Sequence, residues 1–398
     1  MEPRRLTRAL IAGAGVAGLT LALALAKAGV ESVVFERAAS REPFGAGLQL
    51  SPNATRALAR IGLLEAISAR ATAPARVRVL RGRDDAELSS LDLTVAQERW
   101  GAPYLTIHRA DLAAALAEAG SAEPLIDMRP GHELVGYGAD SRKVRVAVRR
   151  GLVSLSEEGD MLIGADGLRS KVREKLVAAP GDAPAFAGRI AFRATLPAPA
   201  LSANEGAPVV TLRLGKRAHL VQYALRGGAT VNLVAVIEAG WRGAPPANPW
   251  DGEADRAALE LAFAGWSHTA RALIAAPQAW RAWSLYVRPP LPTYASGRVA
   301  LAGDAAHPMA PFLAQGAAQA IEDAETMGAA FAREPDVAKA LAAYSAARAA
   351  RANRVQREAL AQARVYHMSG PLAFARDIGM RALGSEGLMR RYDWLYGA

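Results

Sequence analysis

The segment Gly13-Ala-Gly-Val-Ala-Gly18 confines the start of the chain to one kind of architecture. It follows an apolar stretch, Arg8-Ala-Leu-Ile-Ala, that reads as a strand, and it opens an Ala/Leu-rich helix that ends at Gly29. A second strand, Ser32-Val-Val-Phe-Glu36, completes a βαβ unit. In such a unit Gly13 permits the tight turn, Gly15 lets a pyrophosphate approach the backbone, and Gly18 lets helix and strand pack closely. Glu36 closes the second strand, where a carboxylate accepts hydrogen bonds from ribose hydroxyls. A glycine-rich packing turn alone does not explain that acid. The unit predicts a dinucleotide site, and Glu36 favours an adenosine with a free 2′-hydroxyl, as in FAD or NAD, over NADP.

Two later corners repeat the theme of an acid exposed just after a short apolar strand. Met161-Leu-Ile leads into Gly164-Ala-Asp166-Gly, and Val299-Ala-Leu-Ala leads into Gly303-Asp304. The second continues as Ala-Ala-His-Pro-Met-Ala-Pro311-Phe312-Leu-Ala and then opens a helix at Gln315-Gly316-Ala317. A stiff loop beside a helix N-terminus makes a cradle for a polar, partly anionic group. Arg109 stands in the first turn of an amphipathic helix, where a cation opposes the helix dipole unless an anion is near. A surface arginine and a phosphate contact both fit that position.

Between about 186 and 290 the texture becomes antiparallel: Ile190–Leu196, Val209–Leu214, Ala218–Leu225 and Thr230–Ile237 read as strands, with turns at Gly215-Lys216 and Arg226-Gly-Gly. Alternation puts Arg217, His219, Val221 and Tyr223 on one face. Taken alone, His219 and Tyr223 fit a satisfied structural pair as well as a site. Residues 54–70 and 251–276 read as helices and 76–93 as strands. Ser284-Leu-Tyr-Val-Arg is expected to return to the first domain, and nearly everything after Ala317 reads as helix. Arginines 348, 351, 354 and 357 fit a solvated helix face.

Composition narrows the classes. With 398 residues, 51% of them hydrophobic, the chain can bury a large core. It has no cysteine, which excludes disulfides, thiolate metal sites, iron–sulfur clusters, cysteine nucleophiles and any flavin linked through cysteine. No metal site is expected. The net charge of +10 rests on arginine, since there are six lysines. Those arginines are dispersed without an aromatic–basic cluster, which argues against nucleic acid and fits a compositional bias with some benefit for steering anionic cofactors and substrates. No apolar run is long enough to span a bilayer, and a cytoplasmic protein is expected.

The three motifs, in this order and spacing, resemble the single-component FAD-dependent aromatic hydroxylases (group A flavoprotein monooxygenases) over essentially the whole chain. Gly303-Asp-Ala-Ala-His-Pro-Met, Ala314-Gln-Gly-Ala-Ala, Ile321-Glu-Asp-Ala, His219…Tyr223 and the terminal Asp-Trp-Leu-Tyr-Gly are most similar to the salicylate and 3-hydroxybenzoate hydroxylase branch. The resemblance implies an α/β (α+β) fold. A Rossmann-like FAD domain would comprise 1–70, 100–180 and 285–335. An antiparallel-sheet substrate domain would comprise 71–99 and 181–284, and C-terminal helices 336–398.

It also implies roles. Non-covalent FAD would meet Gly13, Gly15, Val16, Ala17 and Gly18 at the pyrophosphate, Glu36 and Arg37 at the adenosine, and Gly47, Gln49 and Arg109 beside them. Asp166, Gly303, Asp304, Pro311, Gln315, Gly316 and Ala317 would complete the contact set. Asp304 would accept from ribityl hydroxyls, and the helix N-terminus at Gln315–Ala317 would stabilise reduced flavin. His219 is expected to take the phenolic proton with a near-ordinary pKa, Tyr223 to orient the substrate, and Pro311 and Phe312 to form an apolar wall. His307 is expected to be structural. NADH or NADPH would bind transiently, because no second G-x-G-x-x-G appears, and oxygen would react as a flavin C4a-hydroperoxide. Arginines near the substrate cavity point to a hydroxybenzoate or hydroxypyridine carboxylate. An epoxidase or polyketide-tailoring oxygenase of the same fold, and an FAD-binding protein without catalysis, are the alternatives. Monomer and homodimer both remain open.

Overall fold

The computed structural model describes residues 7–40, 46–198, 208–238, 252–253 and 256–397. It has the mixed α/β character expected. Its first sheet has six strands in the order Ala295–Ser296, Val299–Leu301, Met161–Gly164, Arg8–Ala12, Glu31–Glu36 and Ile126–Pro130. All neighbours are parallel except the first pair. Strands this apolar demand cover on both faces. The helices Val16–Lys27 and Gly316–Arg333 pack together on one side. Val144, Val146 and Val148, from the three-stranded sheet spanning Glu133–Gly159, join Leu10, Val33 and Ile163 in the same core.

This topology brings the three motifs together. Gly13, Gly164 and Gly303 sit at or just beyond the carboxyl ends of three adjacent parallel strands, the place where open α/β sheets bind ligands. Backbone hydrogen bonds lock the corners to each other, from Ala165 N–H to the Ala12 carbonyl and from Ala302 N–H to the Gly164 carbonyl, both at 2.9 Å.

The second sheet has eight strands, in the order Gly252–Glu253, Arg281–Val287, Ala185–Pro197, Thr230–Glu238, Ala218–Leu225, Val210–Gly215, Arg76–Arg81 and Glu87–Asp92. Leu220, Leu233 and Ala235 face a core with Phe263 and Leu273 from two short helices, Arg256–Phe263 and His268–Ala275. The opposite residues, His219, Val221 and Tyr223, face a cavity, as the alternation predicts. Helices Val337–Tyr366 and Gly370–Tyr396 close the remaining side.

Three expectations change. The strand Arg281–Val287 does not leave for the first domain at Ser284. It pairs along its length with Ala185–Pro197, because its alternating apolar residues need the same sheet partners. The expected helix over 251–276 is a short strand followed by two helices, with 251, 254 and 255 outside the described residues. The arginine face of the long C-terminal helix is solvated only in part: Arg354 and Arg357 are exposed, as expected, whereas Arg348 is buried and Arg351 half-buried. Arg348 is buried against Glu322 and Asp323, Arg351 bonds Glu322, and Arg354 lies 3.8 Å from the Trp394 ring centroid. Spacing alone could not reveal that the facing helix carries acids.

Candidate active site

The cofactor side is built mostly of backbone. Gly13 adopts φ +99°, and a Cβ there would lie 2.5 Å from the Ala165 carbonyl oxygen, so the first and second motifs touch only because this residue is glycine. Gly18 is buried beneath Gly13, whereas Gly15 faces open space. Gly15, Val16, Ala17 and Arg109 line one end of a long cavity, with Asp304, Gly316 and Ala317 further along it. Glu36 is already oriented. Its two carboxylate oxygens accept from Ala14 N–H at 2.9 Å and Ala38 N–H at 2.8 Å, leaving further lone pairs for a ribose. Arg37 is exposed just past it.

The two acids differ. Asp304 opens into the cavity and makes no hydrogen bond among the described residues. Its deep surroundings push its pKa up, opposed by His307 and Arg109. Asp166 is tied to the scaffold by one oxygen, which accepts from Lys171 N–H at 2.8 Å, while its other oxygen is buried without a partner. Burial pushes its pKa up as well.

Behind Asp304 stands a buried ion network. Asp323 accepts from Gly303 N–H at 2.8 Å, pairs with His307 Nε2 at 2.6 Å and accepts from Arg348 Nε at 2.8 Å. Burial pushes Asp323 up, but His307 and Arg348 outweigh it and hold the carboxyl below its usual range. His307 therefore braces the loop, as expected of a structural histidine. Gln315 is part of the same scaffold: its amide donates to Ser51 Oγ at 2.7 Å and its oxygen accepts from Asn53 and Gln319. Its side chain is buried and engaged, which leaves to a cofactor only the helix start it caps.

The cavity continues past Gln49, His219, Val221, Pro311 and Ala314, which border both parts, into an apolar chamber. Gly47 N–H donates to Asn232 Oδ1 at 2.7 Å and fixes the strand that carries Gln49. Gln49 accepts from Tyr104 at 2.6 Å and hydrogen-bonds Tyr223, whose phenol burial pushes up. His219 is 3% exposed, with Phe312 at 5.4 Å and Tyr366 at 5.3 Å between ring centroids. Its pKa is not ordinary: burial first, then His367 and Arg189, drive it well below the usual value, so the ring is neutral. The isolated strand pattern could not show that depth.

The sequence reading missed most of the chamber. Tyr104, Gln362, Tyr366, Tyr392 and Tyr396 line it, four of them from the two C-terminal helices. No arginine or lysine borders this part among the described residues. Arg109 and Arg193 border the cofactor part, where Arg193 stacks 4.7 Å from the Trp283 ring centroid with its Nε buried and unbonded. A charged residue inside the apolar run Phe192-Arg193-Ala194 was the available signal for Arg193. The C-terminal aromatics offered none beyond helical spacing.

These residues fit FAD. An open Gly15, an unpartnered cavity-facing carboxylate at Asp304 and free helix-start N–H groups at Gly316–Ala317 match a pyrophosphate, a polyol and an anionic ring edge. Among the described residues no cluster of His, Asp and Glu could hold a metal, and no helix is long and apolar enough to cross a membrane.

Residues 6–359 match the family described as FAD binding domain. The 3-amino-4-hydroxybenzoate 2-monooxygenase PtnB3 of Streptomyces platensis is 36% identical over 401 residues, covering 98% of this chain and 96% of that protein. The 3-hydroxybenzoate 6-hydroxylase 1 of Aquipseudomonas alcaligenes is 36% identical over 390 residues, covering 98% and 97%. A salicylate hydroxylase solved as a substrate complex superposes with a TM-score of 0.84 at 25% identity, covering 100% of this chain and 96% of that one. The chain belongs to this FAD-binding family, and it is an FAD-dependent aromatic hydroxylase. A small aromatic substrate and oxygen go with that activity.

Proposed function

We propose that the protein hydroxylates a phenolic aromatic carboxylate, a hydroxybenzoate or hydroxypyridine carboxylate, using NADH or NADPH as transient reductant. The observation that carries this reading is the continuity of the cavity, which runs from the Gly15–Asp304 cleft into an aromatic chamber with His219 at the junction. The names of the two 36%-identical relatives support the substrate class. Bound FAD, once reduced, supplies the oxygen activation that no side chain can provide.

The chain's own groups do the rest. Gly13, Gly15, Val16, Ala17 and Arg109 would hold the pyrophosphate, Glu36 the adenosine ribose and Asp304 the ribityl chain. Gly47, Gln49 and Pro311 would border the ring, and Asp166 would set the second corner of the site. The N–H groups and dipole at Gly316–Ala317 would stabilise negative charge on the reduced ring. His219, held neutral, has a free lone pair for the phenolic proton. Tyr223 and Gln49 would orient the substrate, and Phe312 with Pro311 would exclude water. Because no arginine or lysine among the described residues borders the chamber, a substrate carboxylate would be met by neutral donors such as Tyr104 and Gln362.

On this reading the six-stranded sheet with its helices is the FAD domain, the eight-stranded sheet the substrate domain, and the helices after 336 the lid of the chamber. A cytoplasmic location accords with the absence of cysteine, and the chain would act as a monomer or homodimer.

The test is a panel of salicylate, 3-hydroxybenzoate, 3-amino-4-hydroxybenzoate and hydroxypyridine carboxylates, assayed for stimulated NADH and NADPH oxidation with product mass. A product 16 mass units heavier, one added oxygen, is expected with at least one acid. Oxidation that yields only peroxide with every acid overturns the reading. His219→Ala should keep FAD and lose hydroxylation by about 10²–10⁴-fold. Coupled turnover at the normal rate by that variant would remove His219 from the mechanism.

A further inference from the structure

His219 cannot serve as a base by itself for long. It is buried among Phe312, Tyr366 and His367, and Arg189 lies near enough to oppose a second positive charge. A proton taken from a phenol would leave an imidazolium in an apolar chamber, a costly species without a partner anion. The proton needs somewhere to go.

A route lies directly behind the ring. His219 Nδ1 is 2.9 Å from His367 Nε2, and His367 Nδ1 is 3.2 Å from Glu238 Oε1. His367 caps the long helix Val337–Tyr366 and is buried, whereas the Glu238 side chain is 27% exposed at the end of its strand. Both contacts are backed by the fold. Arg217 N–H donates to the His367 carbonyl, and Glu238 N–H donates to the Arg217 carbonyl at 2.9 Å. Arg189 and Arg217 also donate to the Glu238 carboxylate, at 3.2 and 3.1 Å, so the acid stays ionised and points its second role at His367. Arg189 and Arg376 are further charges acting on His367, and Tyr366, whose phenol burial pushes up, is a further titratable neighbour of His219.

We propose that His219, His367 and Glu238 form a proton-transfer chain that carries the substrate's phenolic proton from the buried cavity to solvent. This rests on the phenol-hydroxylase reading above. One tautomer set satisfies both contacts: His219 donates its Nδ1–H to His367 Nε2, and His367 donates its Nδ1–H to Glu238. Transfer then balances without a buried cation. The phenol O–H breaks as His219 Nε2–H forms, the Nδ1 proton of His219 passes to His367 Nε2, and the Nδ1 proton of His367 passes to Glu238, which releases it to water. Both rings end neutral in the opposite tautomer. The reverse sequence returns a proton for the next cycle. His367 and Glu238 touch neither substrate nor cofactor in this scheme; they are positioning and relay residues for His219.

The experiment uses FAD-loaded enzyme in weakly buffered solution with a pH-indicator dye. Rapid mixing with 3-hydroxybenzoate follows phenolate absorbance and proton release together, and benzoate, which has no phenol to ionise, is the control. In the wild type, phenolate formation and proton release are expected to coincide. His367→Gln and Glu238→Gln should slow both by on the order of 10²-fold while benzoate binding and flavin absorbance stay unchanged. Added imidazole should restore the rate in His367→Ala. Equal rates of ionisation in the wild type and both glutamine variants would overturn the relay and leave the hydroxylase reading intact. A wild type that binds 3-hydroxybenzoate without ionising it overturns the relay together with the substrate reading. A parallel loss of benzoate binding would mark His367 as a packing residue and overturn the relay as well.

Discussion

The two parts of the cavity recognise their ligands by different means. On the cofactor side the chain presents much backbone, with Gly15 and Gly316 leaving open space and Gly13 and Gly303 letting chain segments touch, beside Arg109, Arg193 and the carboxylate of Asp304, unpartnered among the described residues. On the substrate side it presents side chains drawn from widely separated stretches: Tyr104, His219 and Val221, Pro311 and Phe312, and the aromatics of the last two helices. Backbone recognition requires particular residues at fixed spacing, because only glycine fits where two chain segments touch. Side-chain recognition requires only volume and a few donors, which many residues at many positions can supply. The first is constrained locally and the second globally.

The most severe way to break this contrast is to add a side chain where backbone meets backbone. Gly13→Val places a branched Cβ at φ +99° and within 2.5 Å of the Ala165 oxygen. Strain at such a position costs about 1–3 kcal/mol before the clash is counted. The expected outcome is protein purified without flavin absorbance. Retention of bound FAD at wild-type stoichiometry would show that the corner yields more than its hydrogen bonds imply.

The scaffold beneath Asp304 is the next target. Arg348→Met leaves Glu322 with Arg351 but strips Asp323 of its guanidinium in a fully buried place. Removing one partner of such a group costs about 3–5 kcal/mol. Chemical unfolding of the FAD-free protein should register that loss, and FAD affinity should fall with it. Unfolding energy within 1 kcal/mol of wild type, about the scatter expected of an ordinary surface change, would mean the network is not what holds the loop.

The same contrast explains what could be read in advance. Gly13–Gly18, Glu36, Asp166 and Asp304 were legible because each belongs to a strand–loop corner whose chemistry is written within a few residues. The strands around His219 and Tyr223 were legible through alternation, and so was the face they share. The environment of His219 was not, because His367 arrives from a helix end 148 positions away and Phe312 from another loop. Arg348 and Arg351 were misread for the same reason: a row of charges looks alike whether it faces water, as Arg354 and Arg357 do, or a buried Glu322-Asp323 pair. Sequence periodicity reports which residues share a face, not what that face meets.

Proton equilibria sharpen the point on the substrate side. His367 has its folded pKa pushed down to about 4, chiefly by burial, while an unfolded histidine titrates near 6.5. Between those values the unfolded chain binds more protons than the folded one, so stability falls as pH drops from about 6.5 to about 4 and is indifferent to this group above that window. The contribution is at most roughly 3 kcal/mol, and His219, shifted in the same direction, adds to it. Urea unfolding at a series of pH values should show the slope, and His367→Gln should flatten it. A wild-type curve that is level across this window contradicts the buried, neutral state assigned to both rings.

The smallest effect should come from the wall itself. Phe312 touches His219, Tyr366 and His367 through its ring and carries no polar group, so its contribution is shape and water exclusion. Phe312→Leu removes aromatic bulk while keeping the site apolar, and a pocket change of that size shifts discrimination by about 1–3 kcal/mol, or 10- to 200-fold. Relative kcat/KM for 3-hydroxybenzoate against its 4-amino and 4-methyl derivatives should move toward the bulkier ring, with flavin content unchanged. Because the residue borders the chamber and not the Gly15–Asp304 cleft, the two parts should respond independently. If FAD affinity fell instead and selectivity held, the backbone-built and side-chain-built parts would have to be treated as one coupled site.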